Sequence, residues 1–557
     1  MPRMGRILGA ACALALVAGS ALVSSPAADA SAARPAVSGA TPIWLGYDRL
    51  PDFGTVSTEV RVEMRDRVQM RCTLIRPTFA GLPLADQRPV IVVNYFAYRA
   101  MQQTAMAGMA EGFAQRGYVA LSCSPRGSGG TPGTWRPFEP QEAEDNYDLI
   151  EWAAVQPWSN GKVGQTGISY GGISTMKAVA ENPPHLKAAI PIVSYQDPYR
   201  EFAYPGGIRS TTMRWWPYFT GLTSVTDPSQ TPDMTAAALP GYLDFETRVA
   251  AHPTYDSYWK SLAIDIKAAD KTDIPILHVG GWNDLFPEGT VRNYLGTKDQ
   301  SYLLMLPGAH LEFVPGVPQF EAVRGGMLAF FDKLLMDKKD APLPGSRVTS
   351  WEMPRGTGGW FEMDSYPSGK PSRLALAGPQ GAGVATQFTY TANPLDNGCL
   401  CTDHGLYNST EYPFNNQALS DTQRVQFNGG PTDGSVVIAG APVAHIKAAF
   451  STPEGVLVVR LEDVAPDGTS TVITTGWLRA SHRLGHGSAV PVSPGQPTNY
   501  TVELWPTHWR LAAGHAFRIT ISSGDVQHIE PVAPPGSTVT IFAGKDGSTF
   551  DMPIYQP

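Results

Sequence analysis

The stretch KVGQTGISYGGISTMKAVAEN, residues 162–182, holds the hexapeptide Gly167-Ile168-Ser169-Tyr170-Gly171-Gly172 between a short strand-like run and a run of helix formers. In a G-x-S-x-G elbow the serine sits on a strained turn from strand to helix, and the flanking glycines are needed because side chains there would collide with neighbouring backbone. A bare match means little in a chain with 56 glycines. A strand before it and a helix after it make the match specific. The stretch therefore predicts an α/β-hydrolase fold with Ser169 as nucleophile.

Outward from this point, short apolar runs recur at 89–93 (PVIVV), 118–122 (YVALS), 163–167, 188–193, 274–279 (IPILHV) and 302–306 (YLLML), separated by helical stretches. Runs this short and apolar read as parallel strands covered on both faces, so 60–193 and 274–341 form the two parts of an α/β domain. Between 194 and 273 the strand rhythm stops and aromatics gather, as in MRWWPYFTG. An insertion between sheet strands reads as a helical cap over the edge where open α/β folds bind ligands. From about residue 342 the composition shifts to Thr, Gly, Pro and Val with alternating patterns, which predicts an all-β jelly roll over 342–557.

A serine hydroxyl needs a base, and in this fold the chain order is Ser, then an acid, then His. Of the eleven histidines, His310 alone follows a late sheet strand, in YLLMLPGAH, on a loop at its C-terminal end. His185 lies just past the nucleophile's helix, His252 in the cap and His278 inside a buried strand, and the others fall in the β domain. The acid is expected at the end of the preceding strand, where Gly280-Gly281-Trp282-Asn283-Asp284 places Asp284; Asp273 stands at the wrong end of that strand. Its carboxylate would fix the imidazole tautomer. The oxyanion needs donors: the backbone N–H of Tyr170, and a group from the loop Asn94-Tyr95-Phe96-Ala97-Tyr98-Arg99, where a tyrosine hydroxyl is the candidate. Trp215 and Trp216 in the cap, and Trp282 two residues from Asp284, are candidate pocket walls; packing is the plainer role for such aromatics.

The 557 residues, 43% hydrophobic, exceed what one core holds, so two or three packed units are expected. A net charge of −8 without a basic run gives no footprint for nucleic acid or an anionic membrane, which leaves small esters, amides or short peptides as substrates. Arg3 and Arg6, an apolar run over 7–23 and Ala28-Asp29-Ala30 read as a cleavable signal peptide over 1–30, followed by a leader segment over 31–59, so the expectation is a secreted protein with no membrane association after cleavage. With Cys12 removed, Cys72, Cys123, Cys399 and Cys401 remain for disulfides. Cys72 and Cys123 can pair if their strands are neighbours, and structural roles are expected for all four. No metal or organic cofactor is implied.

These features, with PRGSGG at 125–130, IEWAAVQPWSNGKVGQTGISYGG ending at Gly172, GGWND ending at Asp284, LPGAH ending at His310, and LEDVAPDGTSTVITTGWLRASHR and ELWPTHWRLAAGHAFRITISS in the β region, resemble the X-Pro dipeptidyl-peptidase-like family of serine hydrolases. That family includes cocaine esterase, α-amino-acid ester hydrolases and glutaryl acylases. The resemblance spans nearly the whole chain after the signal segment and implies an α/β-hydrolase domain, a helical cap and a jelly roll. It also implies Ser169, Asp284 and His310 as the triad. The family's oxyanion tyrosine stands in a Pro-Tyr pair; Ala97-Tyr98 is the nearest equivalent and lacks the proline, so Tyr98 is taken, with Tyr95 as the alternative. Arg126 in PRGSGG is expected to hold the loop beside it. The acidic pair that holds a substrate ammonium in the amino-acid ester hydrolases is missing, since Leu285, Phe286 and Pro287 follow Asp284 and Glu288 is the only nearby acid. An ester or amide hydrolase is thus expected, with an X-Pro dipeptidyl aminopeptidase as rival and a catalytically dead binding protein as the reading from another class.

Overall fold

Backbone groups in short buried runs are satisfied by pairing the runs with one another, and here they build one mixed sheet. The computed structural model describes residues 40–555 except 105, 226–231, 367–369, 378–386, 397–415 and 545. Its strands are β1 (Gly54–Glu63), β2 (Gln69–Phe79), β3 (Arg88–Val93), β4 (Val119–Cys123), β5 (Ser159–Ile168), β6 (Leu186–Ile192), β7 (Ile276–Gly281), β8 (Ser301–Leu306), β9 (Val348–Glu352) and β10 (Gly359–Met363). Their spatial order is β1-β2-β4-β3-β5-β6-β7-β8-β9-β10, with the short strand Leu82–Pro83 beside β2. From β4 across to β9 every neighbour is parallel; β1–β2, β2–β4 and β9–β10 are antiparallel.

The helices are α1 (Ala107–Ala114), α2 (Pro140–Ala154), α3 (Tyr170–Glu181), α4 (Thr211–Val225), α5 (Pro232–Ala251), α6 (Ser257–Leu262), α7 (Pro287–Gly296) and α8 (Pro318–Leu335). Helix α3 packs on β5, β6 and α2, α8 on β5 and β6, and α1 on β2, β3 and β4. Strand β4 is buried at every residue, as an apolar run in a covered sheet must be. Cys72 on β2 and Cys123 on β4 oppose each other in register and form a disulfide, with Cα atoms 4.0 Å apart. Cys399 and Cys401, like the proposed signal segment, lie outside the described residues.

The connection from β6 to β7 is helical: a π-helical turn at Tyr199–Ala203, then α4, α5, α6 and Ile266–Ala269. This is the cap. Beyond the α/β part, two antiparallel sheets form the all-β domain, one containing Val443–Phe450 and Thr538–Phe542, the other Val456–Val464 and Ala516–Ser522. Ile446, Leu457, Val459, Ile519 and Ile541 belong to its buried core. The large sheet runs past the composition shift near residue 342, because β9 pairs in parallel with β8 and carries β10 on its other edge. The same core also takes in Trp282, Leu303 and Val348 of the α/β part.

Candidate active site

Ser169 sits between β5 and α3 with φ 59° and ψ −115°, a conformation disfavoured for a residue with a side chain and held here by its surroundings. Asn94, at the end of β3, supplies one restraint: its side-chain oxygen accepts from the backbone N–H of Ile168 at 3.1 Å. The glycines supply another by their size. A Cβ on Gly167 would lie 2.8 Å from the Gly171 backbone, and one on Gly172 would lie 2.2 Å from the Ile192 carbonyl oxygen. The motif is therefore a packing requirement of the turn against β6 and itself.

His310 opens a 3₁₀ turn, His310–Phe313, just past β8. Glu312 closes that turn by accepting from the Ala309 N–H at 2.7 Å, and Arg355 pairs with Glu312 at 2.9 Å. His310 Nε2 lies 2.7 Å from Ser169 Oγ, and His310 Nδ1 lies 2.7 Å from Asp284 Oδ2. Asp284 is fully buried beyond the end of β7, and its other oxygen accepts from the Phe286 N–H at 2.7 Å. Each lone pair of a buried carboxylate left unpaired would be costly, and here both oxygens have donors. Gly281 makes the turn feasible, since a Cβ there would lie 2.1 Å from the Gly308 carbonyl oxygen. Ser169, His310 and Asp284 thus form one continuous hydrogen-bonded chain.

Tyr170 is the first residue of α3, so its backbone N–H is among those a helix leaves without an internal acceptor. Tyr98 is buried, and its hydroxyl accepts from the Trp216 indole N–H and is also within hydrogen-bond reach of the Thr220 side chain. Burial pushes the Tyr98 phenol above its ordinary range, so it stays protonated. Its ring meets that of Tyr170 edge-on at 5.9 Å. Tyr95, the alternative, is fully buried, and its hydroxyl has no hydrogen-bond partner among the described residues.

The tryptophans separate. Trp216 joins the site through Tyr98 and stacks on Phe138 at 5.9 Å. Trp215, on the same helix, is 38% exposed and packs edge-on against Phe219. Trp282 donates its indole N–H to the Trp351 carbonyl at 2.9 Å and belongs to the core shared with the β domain, so its contacts are those of a packing residue. Arg126 is fastened to Asp145 and Asp66, which pins the PRGSGG loop against α2.

Sequence reasoning passed over two residues. Asn94 carries no motif, and Glu142 lies in the polar run EPQEAEDNYD that reads as a solvated helix face. Yet Glu142 is buried, and Oε2 accepts from the Tyr170 hydroxyl at 2.6 Å. Burial raises its carboxyl to about 8, and burial lowers Lys177, on the next helix, to about 8. Among the described residues no group of three or more His, Cys, Asp or Glu is placed to hold a metal, and no helix is long and apolar enough to cross a membrane.

The family model for X-Pro dipeptidyl-peptidase (S15 family) matches residues 66–312, and that for the X-Pro dipeptidyl-peptidase C-terminal non-catalytic domain matches 345–546. A Mycobacterium bovis protein that bears the name of a serine esterase is 24% identical over 606 residues, covering 89% of this chain and 95% of that protein. Cocaine esterase of a Rhodococcus species is 23% identical, over 85% of this chain and 91% of its own. Among solved structures, an α-amino acid ester hydrolase aligns with a TM-score of 0.72 at 20% identity, over 91% of this chain and 98% of its own. An aminopeptidase from the marine-sediment archaeon Thaumarchaeota archaeon aligns with a TM-score of 0.74 at 20% identity, over 92% and 98%. Both structures share the two-part architecture at an identity that speaks for the fold alone. With both domain models matched in order along the chain, it belongs to the X-Pro dipeptidyl-peptidase-like family of serine hydrolases.

Proposed function

We propose that this hydrolase cleaves carboxylic esters or amides through an acyl-enzyme, with Ser169 as nucleophile, His310 as general base and acid, and Asp284 as the group that fixes the imidazole. The observation that carries the reading is the chain of two 2.7 Å hydrogen bonds from Ser169 through His310 to buried Asp284. As Ser169 attacks, its proton passes to Nε2, and the imidazolium gains the Asp284 carboxylate as counter-charge. The tetrahedral oxyanion is received by the Tyr170 N–H and the Tyr98 hydroxyl. His310 then protonates the leaving group, and water, deprotonated by the same imidazole, releases the acid.

The surrounding side chains favour an uncharged substrate. Phe202, Phe286, Phe138 and Trp216 ring the site, with Phe286 edge-on to His310 at 5.6 Å. Glu288, the only acid close after Asp284, is occupied by Arg200 at 2.6 Å and Arg292 at 3.4 Å, so it is a poor anchor for a free ammonium. This supports the esterase reading, in line with the names of the esterase relatives, over the X-Pro dipeptidyl aminopeptidase. Export is part of the proposal, supported by the signal-like N-terminus and by a disulfide that needs an oxidising compartment.

The test compares p-nitrophenyl butyrate with unblocked Ala-Pro p-nitroanilide, using the protein and its Ser169→Ala variant. Faster turnover of the ester, lost by about 10⁴-fold or more in the variant, is the expected result. Preference for the dipeptide amide moves the activity to the aminopeptidase. Activity that survives the substitution removes Ser169 as nucleophile, and failure of an organophosphonate to label Ser169 revives the inactive binding protein.

A further inference from the structure

We propose that Glu142 is a positioning residue for hydrolysis, acting through the phenol of Tyr170 and the backbone of Phe138 on the turn and the rings that receive the oxyanion. The inference rests on the assignment of Ser169 and Tyr98 above and adds a residue that touches neither substrate nor reacting atoms.

Two hydrogen bonds converge on one carboxyl oxygen. Tyr170 follows the nucleophile and begins α3, so the tie on its side chain adds to Asn94 and the glycines as a restraint on the angle at which its N–H meets the oxyanion. That tie is the 2.6 Å hydrogen bond to Glu142 Oε2. The same oxygen accepts from the Phe138 N–H at 3.3 Å. Phe138 is held at φ 65°, in the left-handed region that a bulky residue leaves unless restrained. Its ring lies 4.4 Å from that of Tyr170 and stacks on Trp216, which in turn donates to Tyr98. Both proposed oxyanion donors, the Tyr170 N–H and the Tyr98 hydroxyl, are therefore referenced to Glu142.

The side chain is also placed to report on pH. The titratable groups that act on it are Asp145 on its own helix, Tyr170 and Lys177 on α3, Tyr95 and Tyr98 from the loop after β3, and Tyr195 after β6; Arg126 binds the neighbouring Asp145. Burial keeps the carboxyl neutral until about pH 8. Above that value a negative charge appears behind a turn that must stabilise another, which opposes formation of the tetrahedral intermediate.

The experiment measures kcat and KM for p-nitrophenyl butyrate in the full chain and in Glu142→Gln, Tyr170→Phe and the double variant. Each is expressed per site titrated with a fluorophosphonate, from about pH 6 to about pH 9. Either single change is expected to lower kcat about tenfold, less than the loss of an oxyanion donor, with KM held within about twofold. The double variant is expected to be no slower than the slower single one, because both sever the same link. The alkaline fall in kcat should shrink in Glu142→Gln, leaving only the part due to loss of the Lys177 charge in the same range, and persist in Tyr170→Phe. If kcat per titrated site in Tyr170→Phe stays within about twofold of the parent, or the two effects multiply, the inference is overturned while Ser169 stands. If the parent protein itself takes no label, both fall together. Tyr170→Phe keeps the packed ring, so it decides alone should Glu142→Gln fail to accumulate as folded protein.

Discussion

Gly172 leaves no room for a side chain, because its Cβ position is 2.2 Å from a carbonyl oxygen of β6 that the sheet holds in place. Gly172→Ala should therefore cost about 3 kcal/mol, read as a lowered urea midpoint, and displace Ser169 enough to abolish labelling. Asp284→Asn keeps the shape but presents an amide N–H to His310 Nδ1, favouring the wrong tautomer; kcat should fall by about 10⁴-fold with KM little changed, measured by steady-state ester hydrolysis. These residues were legible in the sequence because an elbow needs small neighbours on either side of the serine and because chain order selects one histidine and one acid. Glu142 was not. Its neighbours Gln141, Glu144 and Asp145 are polar as well, so only the packing of α2 shows that Glu142 and Asp145 turn inward while Gln141 and Glu144 do not. Trp282 misled for a related reason, since closeness in sequence to Asp284 says nothing about which core an indole enters.

The buried parallel strands announced themselves as apolar runs, whereas the strands at the two margins of the sheet did not. Strand β1 carries Glu59, Arg61 and Glu63 on an open side, and β9 and β10 share the composition of the β domain they adjoin, so no local pattern separates them from it. Their membership is decided by register with β2 and β8. At the first of these margins the link from Cys72 to Cys123 closes a loop of 51 residues across adjacent antiparallel strands. Restricting the unfolded chain over that length is worth about 4 kcal/mol on the loop-entropy model. The Cys72→Ala, Cys123→Ala double variant should lose that amount in denaturant unfolding and keep its kcat, since β3 stands between the cysteines' strands and β5, which leads to Ser169. A fall in kcat per labelled site at unchanged stability would contradict the purely structural role.

Protons couple the two domains to stability. His278 inside β7 is held down to about 3 by burial, and His486 and His508 to about 4, also chiefly by burial. All three favour the neutral form when folded, so the stability they contribute is present above the unfolded value of about 6.5 and is lost as pH falls toward about 4. Thermal unfolding should drop by several degrees between about pH 7 and about pH 5, and replacing His278 by Gln, which retains an amide to meet Thr297, should flatten part of that slope. A melting temperature independent of pH over this interval would contradict the assignment.

The cap occupies a single crossover between β6 and β7, which are adjacent and parallel. A connection of a dozen or so residues would serve the topology equally well. Residues 194–273 are thus a cassette inserted at one point of the sheet, outside the strand ends that carry Ser169, Asp284 and His310. Several contacts tie the cassette to its host: Arg200 pairs with Glu288 of α7 and with Glu503 of the β domain, and the Thr211 N–H donates to the His528 carbonyl at 3.0 Å. The indole of Trp216 holds the hydroxyl of Tyr98, so a transplanted cassette would inherit a catalytically competent host only by bringing a donor to that same point.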